Sequence, residues 1–248
     1  KAEIVYYAEN EWELARILQY VMDQSQMIVA YQSPQALDLT LSAHLLSLVN
    51  PFDISLTQND ISYSDQDGNE LYHSHHITIK RLGDRYEQAC QAAKERVDAI
   101  IDETMSTEEK ITAIHHDIIL HSMYEKSDQE EKAAVDRSVY HASGVLLDGR
   151  GVCAGYSRAF MLMAQYAGIP ALYVSSKEMN HGWNYVYNDN EWRFIDVTWD
   201  DPLPDQGERI TATYLTLDVD QFFANGAHTL SEEERAQVEQ IAASFFAN

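Results

Sequence analysis

A chain of 248 residues that is 45% hydrophobic and 10% aromatic, with only 10 Gly and 5 Pro, carries enough apolar side chain for a sizeable core, which excludes a disordered or fibrous chain. Seventeen Lys and Arg against 40 Asp and Glu leave a net charge of −23, and a body this acidic repels the phosphate backbone of nucleic acids and the anionic faces of membranes. No apolar run approaches the ~18 residues a membrane span needs, and two cysteines, Cys90 and Cys153, are too few for a disulfide scaffold or a thiolate zinc site.

The first predicted helix covers about residues 11–24, with Asn10 as N-cap and Glu13 at the capping-box position. A short apolar strand follows from Met27 to Tyr31, and Ser33-Pro34 opens a second helix that ends before Pro51. Residues 60–81 alternate as a hairpin around a QDGN turn. A long helix is predicted over about 85–104, its apolar stripe running through Tyr86, Ala89, Cys90, Ala93 and Val97, which makes Cys90 a core thiol. Ser106 and Glu109 form a second capping box, starting a helix that runs to about His121. Residues 125–137 are polar and charged and read as an exposed loop or short helix.

Glycines then cluster at 144, 149, 151 and 155 before a helix that ends at Gly168. Strands are predicted at about 171–176, 182–187 and 191–198, and a last amphipathic helix starts at Ser231, with Glu234 in the capping-box position. Residues 1–81 read as an N-terminal α/β accessory portion and 82–248 as the working domain.

The chemistry concentrates in that second part. Cys153 lies in GRGVCAGYS, where small residues precede a helix that begins at or just after the thiol. The positive end of the helix and its unpaired N–H groups favour the nucleophilic thiolate and can hold an oxyanion. A nucleophilic cysteine needs a base, and the base needs an orienting group. With Asn188-Asp189 as a two-residue loop, the strands HGWNYVYN and EWRFID put His181 directly opposite Asp196, Cβ atoms roughly 5 Å apart.

GVCAGY, HGWNYV and WRFIDVTWDDP, in that order, resemble the three signature blocks of the transglutaminase-like superfamily, most closely its bacterial members with the DVTWDDP ending. The resemblance covers roughly residues 105–230. It implies an α+β, papain-like fold in which the cysteine helix packs against an antiparallel sheet bearing the histidine and the aspartate. It also implies a Cys153, His181 and Asp196 triad acting on amide bonds through a thioester, as a cysteine acyltransferase, protease or amidase. A protein or peptide substrate and an exported or cell-surface location follow from the same resemblance, with no cofactor. The Cys153 N–H is expected to supply one oxyanion donor and Tyr140 a second, while Trp183 and Trp199 flank the triad and wall the cleft. The alternative is a binding or scaffolding module that keeps the fold without the activity.

Other groups draw blander readings. His73 and His75 share a strand face, but nothing else of ligand type is placed in sequence to complete a metal site, so HSHH reads as an exposed hairpin and no metal is expected. His115, His116 and His121 lack metal-ligand spacing. Asp200 and Asp201, before Pro202, shape a turn. His228 reads as a candidate cleft residue on its position after the sheet alone.

Overall fold

The computed structural model describes residues 4–81, 85–125, 137–207 and 209–244, with the backbone alone at 70–72. They fall into two compact units, Lys1–Leu82 and Gly83–Asn248. Most of the stretch predicted as an exposed loop, residues 126–136, lies outside the described residues.

The first unit runs β1 (Val5–Tyr7), α1 (Glu11–Asp23), β2 (Ile28–Gln32), α2 (Leu39–Val49), β3 (Ile54–Ser64) and β4 (Glu70–Arg81). Its sheet has the order β1-β2-β4-β3, with β1 and β2 parallel and the remaining pairs antiparallel. Leu14, Leu18 and Val21 of α1 and Leu45 and Leu46 of α2 are buried, as are Val29, Tyr31, Ile77 and Ile79 of the sheet. Asn10 caps α1 by accepting the Glu13 N–H, while the Glu13 carboxylate reaches the N–H of Glu9 rather than that of the cap residue. Helix α2 starts later than Ser33-Pro34 predicts, because the Asp38 carboxylate accepts from both Thr40 and Leu41 and fixes the first turn there. The hairpin is longer than predicted: Ile54 pairs with Arg81, so β3 starts six residues before Asp60.

The second unit runs α3 (Tyr86–Ile100), α4 (Thr107–Leu120), β5 (Met123–Tyr124), α5 (Ala142–Asp148), β6 (Arg150–Gly151), α6 (Cys153–Tyr166), β7 (Ala171–Ser176), β8 (His181–Asn188), β9 (Glu191–Ile195), α7 (Val197–Asp200), α8 (Val219–Phe223) and α9 (Glu232–Ser244). Strands β7, β8 and β9 form an antiparallel sheet in that order, and β5 pairs in parallel with β6. Every residue of α6 from Gly155 to Ala164 is buried, so this helix is the core of the unit, covered by α3, α4, α5, β7 and β8. The Ser106–Glu109 capping box forms as predicted at the start of α4.

Four predicted features change. Helix α3 ends at Ile100 rather than near 104, because Asp102 turns the chain by accepting the Thr104 N–H. Helix α5, hidden in sequence among glycines, is closed by Gly149 at φ 64°. Strand β9 stops at Ile195 instead of continuing to 198, because Asp196 caps α7. Cys90 is half-buried rather than a core thiol.

Candidate active site

Cys153 is the first residue of α6, after Val152 in extended conformation (φ −98°, ψ 178°). The Val152 N–H donates to the Val139 carbonyl at 3.0 Å, drawing the 137–141 segment against the first turn of the helix. Gly155 permits this approach: a Cβ there would lie 2.3 Å from the Val139 carbonyl oxygen. The thiol sits in a partly open position rather than in the core.

His181 opens β8 opposite Ser176 of β7. The hairpin register differs from the predicted one. The loop is Asp189-Asn190, both residues left-handed at φ 46° and 70°, and the pairing runs from Asn188 with Glu191 to Asn184 with Ile195. His181 and Asp196 are therefore not cross-strand partners. The register moves by two residues, an even step that keeps both side chains on one face. Contact is made because Asp196 leaves the ladder at φ −122°, ψ 90° to cap α7.

The Asp196 carboxylate is fully buried and fully used. Oδ1 accepts the Trp199 N–H at 3.1 Å, while Oδ2 accepts from His181 Nε2 at 2.7 Å and from His228 Nε2 at 2.8 Å. Burial pushes its pKa upward, but the His181 and His228 hydrogen bonds, the His181 charge and the Trp199 N–H outweigh it and hold the carboxyl below its ordinary value. An ionised carboxylate only accepts, so both imidazoles carry their Nε2 protons. Nδ1 of His181 is then the nitrogen left for the Cys153 thiol, which lies near enough to bear on the His181 pKa. Burial lowers the His181 pKa, but the bond to Asp196 and the nearby Cys153 reverse this and raise it to about 9.

Sequence reasoning placed His228 no closer than the cleft and missed its contact with Asp196. It lies between α8 and α9, fully buried, with its ring centroid 4.1 Å from Phe222, 4.2 Å from Trp199, 4.9 Å from Tyr214 and 5.0 Å from Trp183. No motif surrounds it in sequence; its place is visible only once the fold brings it to Asp196. Tyr124 was also missed. Strand pairing sets it beside Gly151, and its phenol pKa is raised by burial and by the charges of Cys153, Tyr140 and Asp196.

The two tryptophans separate. Trp199, 40% exposed, stacks on His181 at 5.3 Å and covers the imidazole, as a cleft wall would. Trp183 is fully buried beneath the site, 5.8 Å from the His181 ring, and is core rather than cleft wall. Tyr140 is 41% exposed in the 3-10 turn at 137–140.

Asp200 and Asp201 do more than shape a turn. Asp200 is fully buried, 3.1 Å from His115 Nε2, and accepts the N–H groups of Thr213 and Tyr214 at 2.7 and 3.1 Å. This holds the loop whose Tyr214 carbonyl takes the Asp196 N–H at 3.1 Å. Asp201 accepts the Tyr156 hydroxyl at 2.5 Å, and burial raises its pKa to about 6 against that hydrogen bond.

Among the described residues two clusters have metal-ligand spacing: His181, Asp196 and His228, and Asp60, His73 and His75. In the first, both Nε2 atoms already donate to one buried carboxylate between aromatic rings.

A cysteine at the start of a buried helix, packed on an antiparallel sheet that carries a histidine and leads into an aspartate, defines an α+β protein of the papain-like class. Residues 94–197, which contain all three, match the model of the Transglutaminase-like superfamily. Kyphoscoliosis peptidase of Mus musculus is 29% identical over 125 residues, and that of Homo sapiens 28%. Each match takes in 45% of this chain and 18% of the relative, so the chain spans under a fifth of these relatives' length. Among solved structures, a TGase superposes with a TM-score of 0.36 at 16% identity, over 80% of this chain and 60% of that one.

Proposed function

We propose that the chain is a cysteine-dependent enzyme of amide bonds, with Cys153 as nucleophile, His181 as acid and base, Asp196 as the group orienting His181, and His228 as a residue positioning Asp196. The observation that carries this is the placement of His181, whose Nε2 meets Asp196 at 2.7 Å while its pKa is raised by Asp196 and by the nearby Cys153. A raised imidazole pKa of about 9 supports a thiolate–imidazolium pair at neutral pH.

In this mechanism the thiolate adds to the amide carbonyl carbon, and the oxyanion is held at the start of α6 by the Cys153 N–H. His181 Nδ1 gives its proton to the leaving amine, the carbon–nitrogen bond breaks, and a thioester remains. Water, or a primary amine, then attacks the thioester and passes a proton back to His181, which releases the thiol. Trp199 shields the imidazole from bulk water. The partly open thiol supports an active over a purely scaffolding role, and the peptidase name of the curated relatives supports a protein or peptide substrate.

The test is alkylation of Cys153 by iodoacetamide, followed across pH by mass spectrometry with Cys90 as internal control. Cys153 is expected to react faster than Cys90 at neutral pH and to lose that advantage in His181→Ala. Equal reactivity of the two thiols would leave the scaffolding reading in its place. A primary amine offered during turnover separates hydrolysis from amine transfer, by whether it is incorporated.

A further inference from the structure

We propose that Asp60, His73 and His75 form a binding site for a divalent transition-metal ion of the zinc type on the N-terminal unit. Side chains alternate along β4, so His73, His75, Ile77 and Ile79 share one face. Ile77 and Ile79 are buried, and the two histidines carry the same face beyond the core. Asp60 of β3 is the direct cross-strand partner of His75, and Tyr31 of β2 is its partner on the other side. The hairpin thus supplies the third ligand that linear spacing lacked.

The ligand atoms of the three residues lie within 4.8 Å of one another. A tetrahedral ion with bonds near 2.0–2.1 Å sets such atoms roughly 3.4 Å apart, which parts the His75 and Asp60 atoms by a few tenths of an ångström and brings His73 to them. His75 Nδ1 is 2.8 Å from Asp60 Oδ1, and the His73 and His75 rings meet edge to face at 4.7 Å. Two imidazoles and one carboxylate, with an open position for water, suit zinc and its neighbours better than calcium or magnesium. Asp60 leaves that position accessible, its side chain being 50% exposed.

The polar groups around the cluster point the same way. Gln58 Nε2 lies 2.9 Å from Asp60 Oδ1 and 3.1 Å from His75 Nδ1. Asp60 fixes the amide, since a turned-over Oε1 would face the acceptor-only Oδ1, and in this orientation Oε1 accepts the Tyr31 hydroxyl at 2.9 Å. Nδ1 of His75 therefore faces an N–H donor and a carboxylate at once. With a proton it opposes Gln58, and without one it opposes Asp60. An ion between Nδ1 and Oδ1 resolves the conflict, since both lone pairs then point at the cation while Gln58 still donates to the carboxylate and orients it. Binding displaces the Nδ1 proton to solvent. The net charge of −23 favours the approach of any cation.

The test is titration of untagged full-length protein with Zn²⁺ at pH 7.5, after alkylation of Cys153 to remove the competing thiol. One ion per chain is expected, undisplaced by excess Mg²⁺. Gln58→Ala should weaken binding about 10-fold, and Asp60→Asn or His73→Ala by more, with circular dichroism checking that each variant folds. A visible Co²⁺ spectrum on the unmutated protein gives a second reading independent of the variants, an intense nitrogen–oxygen tetrahedral band being the expected result. Failure to bind Zn²⁺, binding unchanged in the Asp60→Asn/His73→Ala double variant, or a cobalt spectrum of octahedral strength would each overturn the site.

Discussion

His181 and Asp196 meet at 2.7 Å although no ladder pairing joins them. The aspartate does two jobs with two oxygens: one caps a helix turn, and the other receives two imidazoles. Local backbone structure and site chemistry are thereby fixed by a single buried side chain, and substitutions there separate the two.

Asp196→Asn keeps an oxygen for the Trp199 N–H, but its NH₂ group now faces at least one Nε2 proton. The His181 ring is expected to lose its tautomer and orientation while α7 still forms. Alkylation of Cys153 at pH 7 should slow by on the order of tenfold or more, with the circular dichroism spectrum unchanged. Asp196→Ala should also lose the cap, at about 1 kcal/mol, and leave two buried imidazole donors unpaired at further cost.

His228 offers a test of positioning against mere packing. His228→Ala removes a ring packed among Phe222, Trp199, Tyr214 and Trp183, and destabilisation of about 2–4 kcal/mol is expected in urea melts. His228→Gln retains an amide donor for Asp196. If His228 acts through the carboxylate, Gln restores much of the Cys153 alkylation rate lost in Ala. Equal loss of reactivity in both variants would reduce His228 to a packing residue.

Gly155 lies two residues after Cys153, and a Cβ at this position would sit 2.3 Å from a backbone carbonyl that cannot rotate away. Gly155→Ala should therefore cost about 1–3 kcal/mol by overpacking and displace the 137–141 segment from the start of α6. Thermal melts report the first effect. Slower alkylation of Cys153, with Cys90 unchanged, reports the second.

Asp201 predicts a pH dependence. Burial raises its folded pKa to about 6 from an unfolded value near 3.8, so the folded state binds more protons in between. The contribution of this group to stability is present below about pH 4 and lost as pH rises through about 6. Asp201→Asn keeps an acceptor for the Tyr156 hydroxyl without titrating. The melting temperature of the unsubstituted protein should therefore fall relative to the Asn variant between pH 4 and 7. A constant difference between the two across that range would contradict the assignment.

The local signals in the chain were sufficient for a great deal. Capping chemistry placed Asn10, Ser106 and Ser231 at or beside helix starts, and the GVCAGY block put the cysteine at the head of α6, because short-range hydrogen bonds and 3.6-residue periodicity are properties of neighbouring residues. His181 and Asp196 were legible as a pair for the same reason: a short hairpin keeps them within 15 positions of each other. The register was not legible, since Asn188-Asp189 and Asp189-Asn190 are equally good turn formers, and the choice lay with the two left-handed residues the strands accept. What depended wholly on tertiary structure was long-range. His228 reaches Asp196 across 32 positions, and His115 reaches Asp200 across 85. Those contacts follow from packing and strand pairing, whose energies are shared over many residues and leave no mark on any one stretch of sequence.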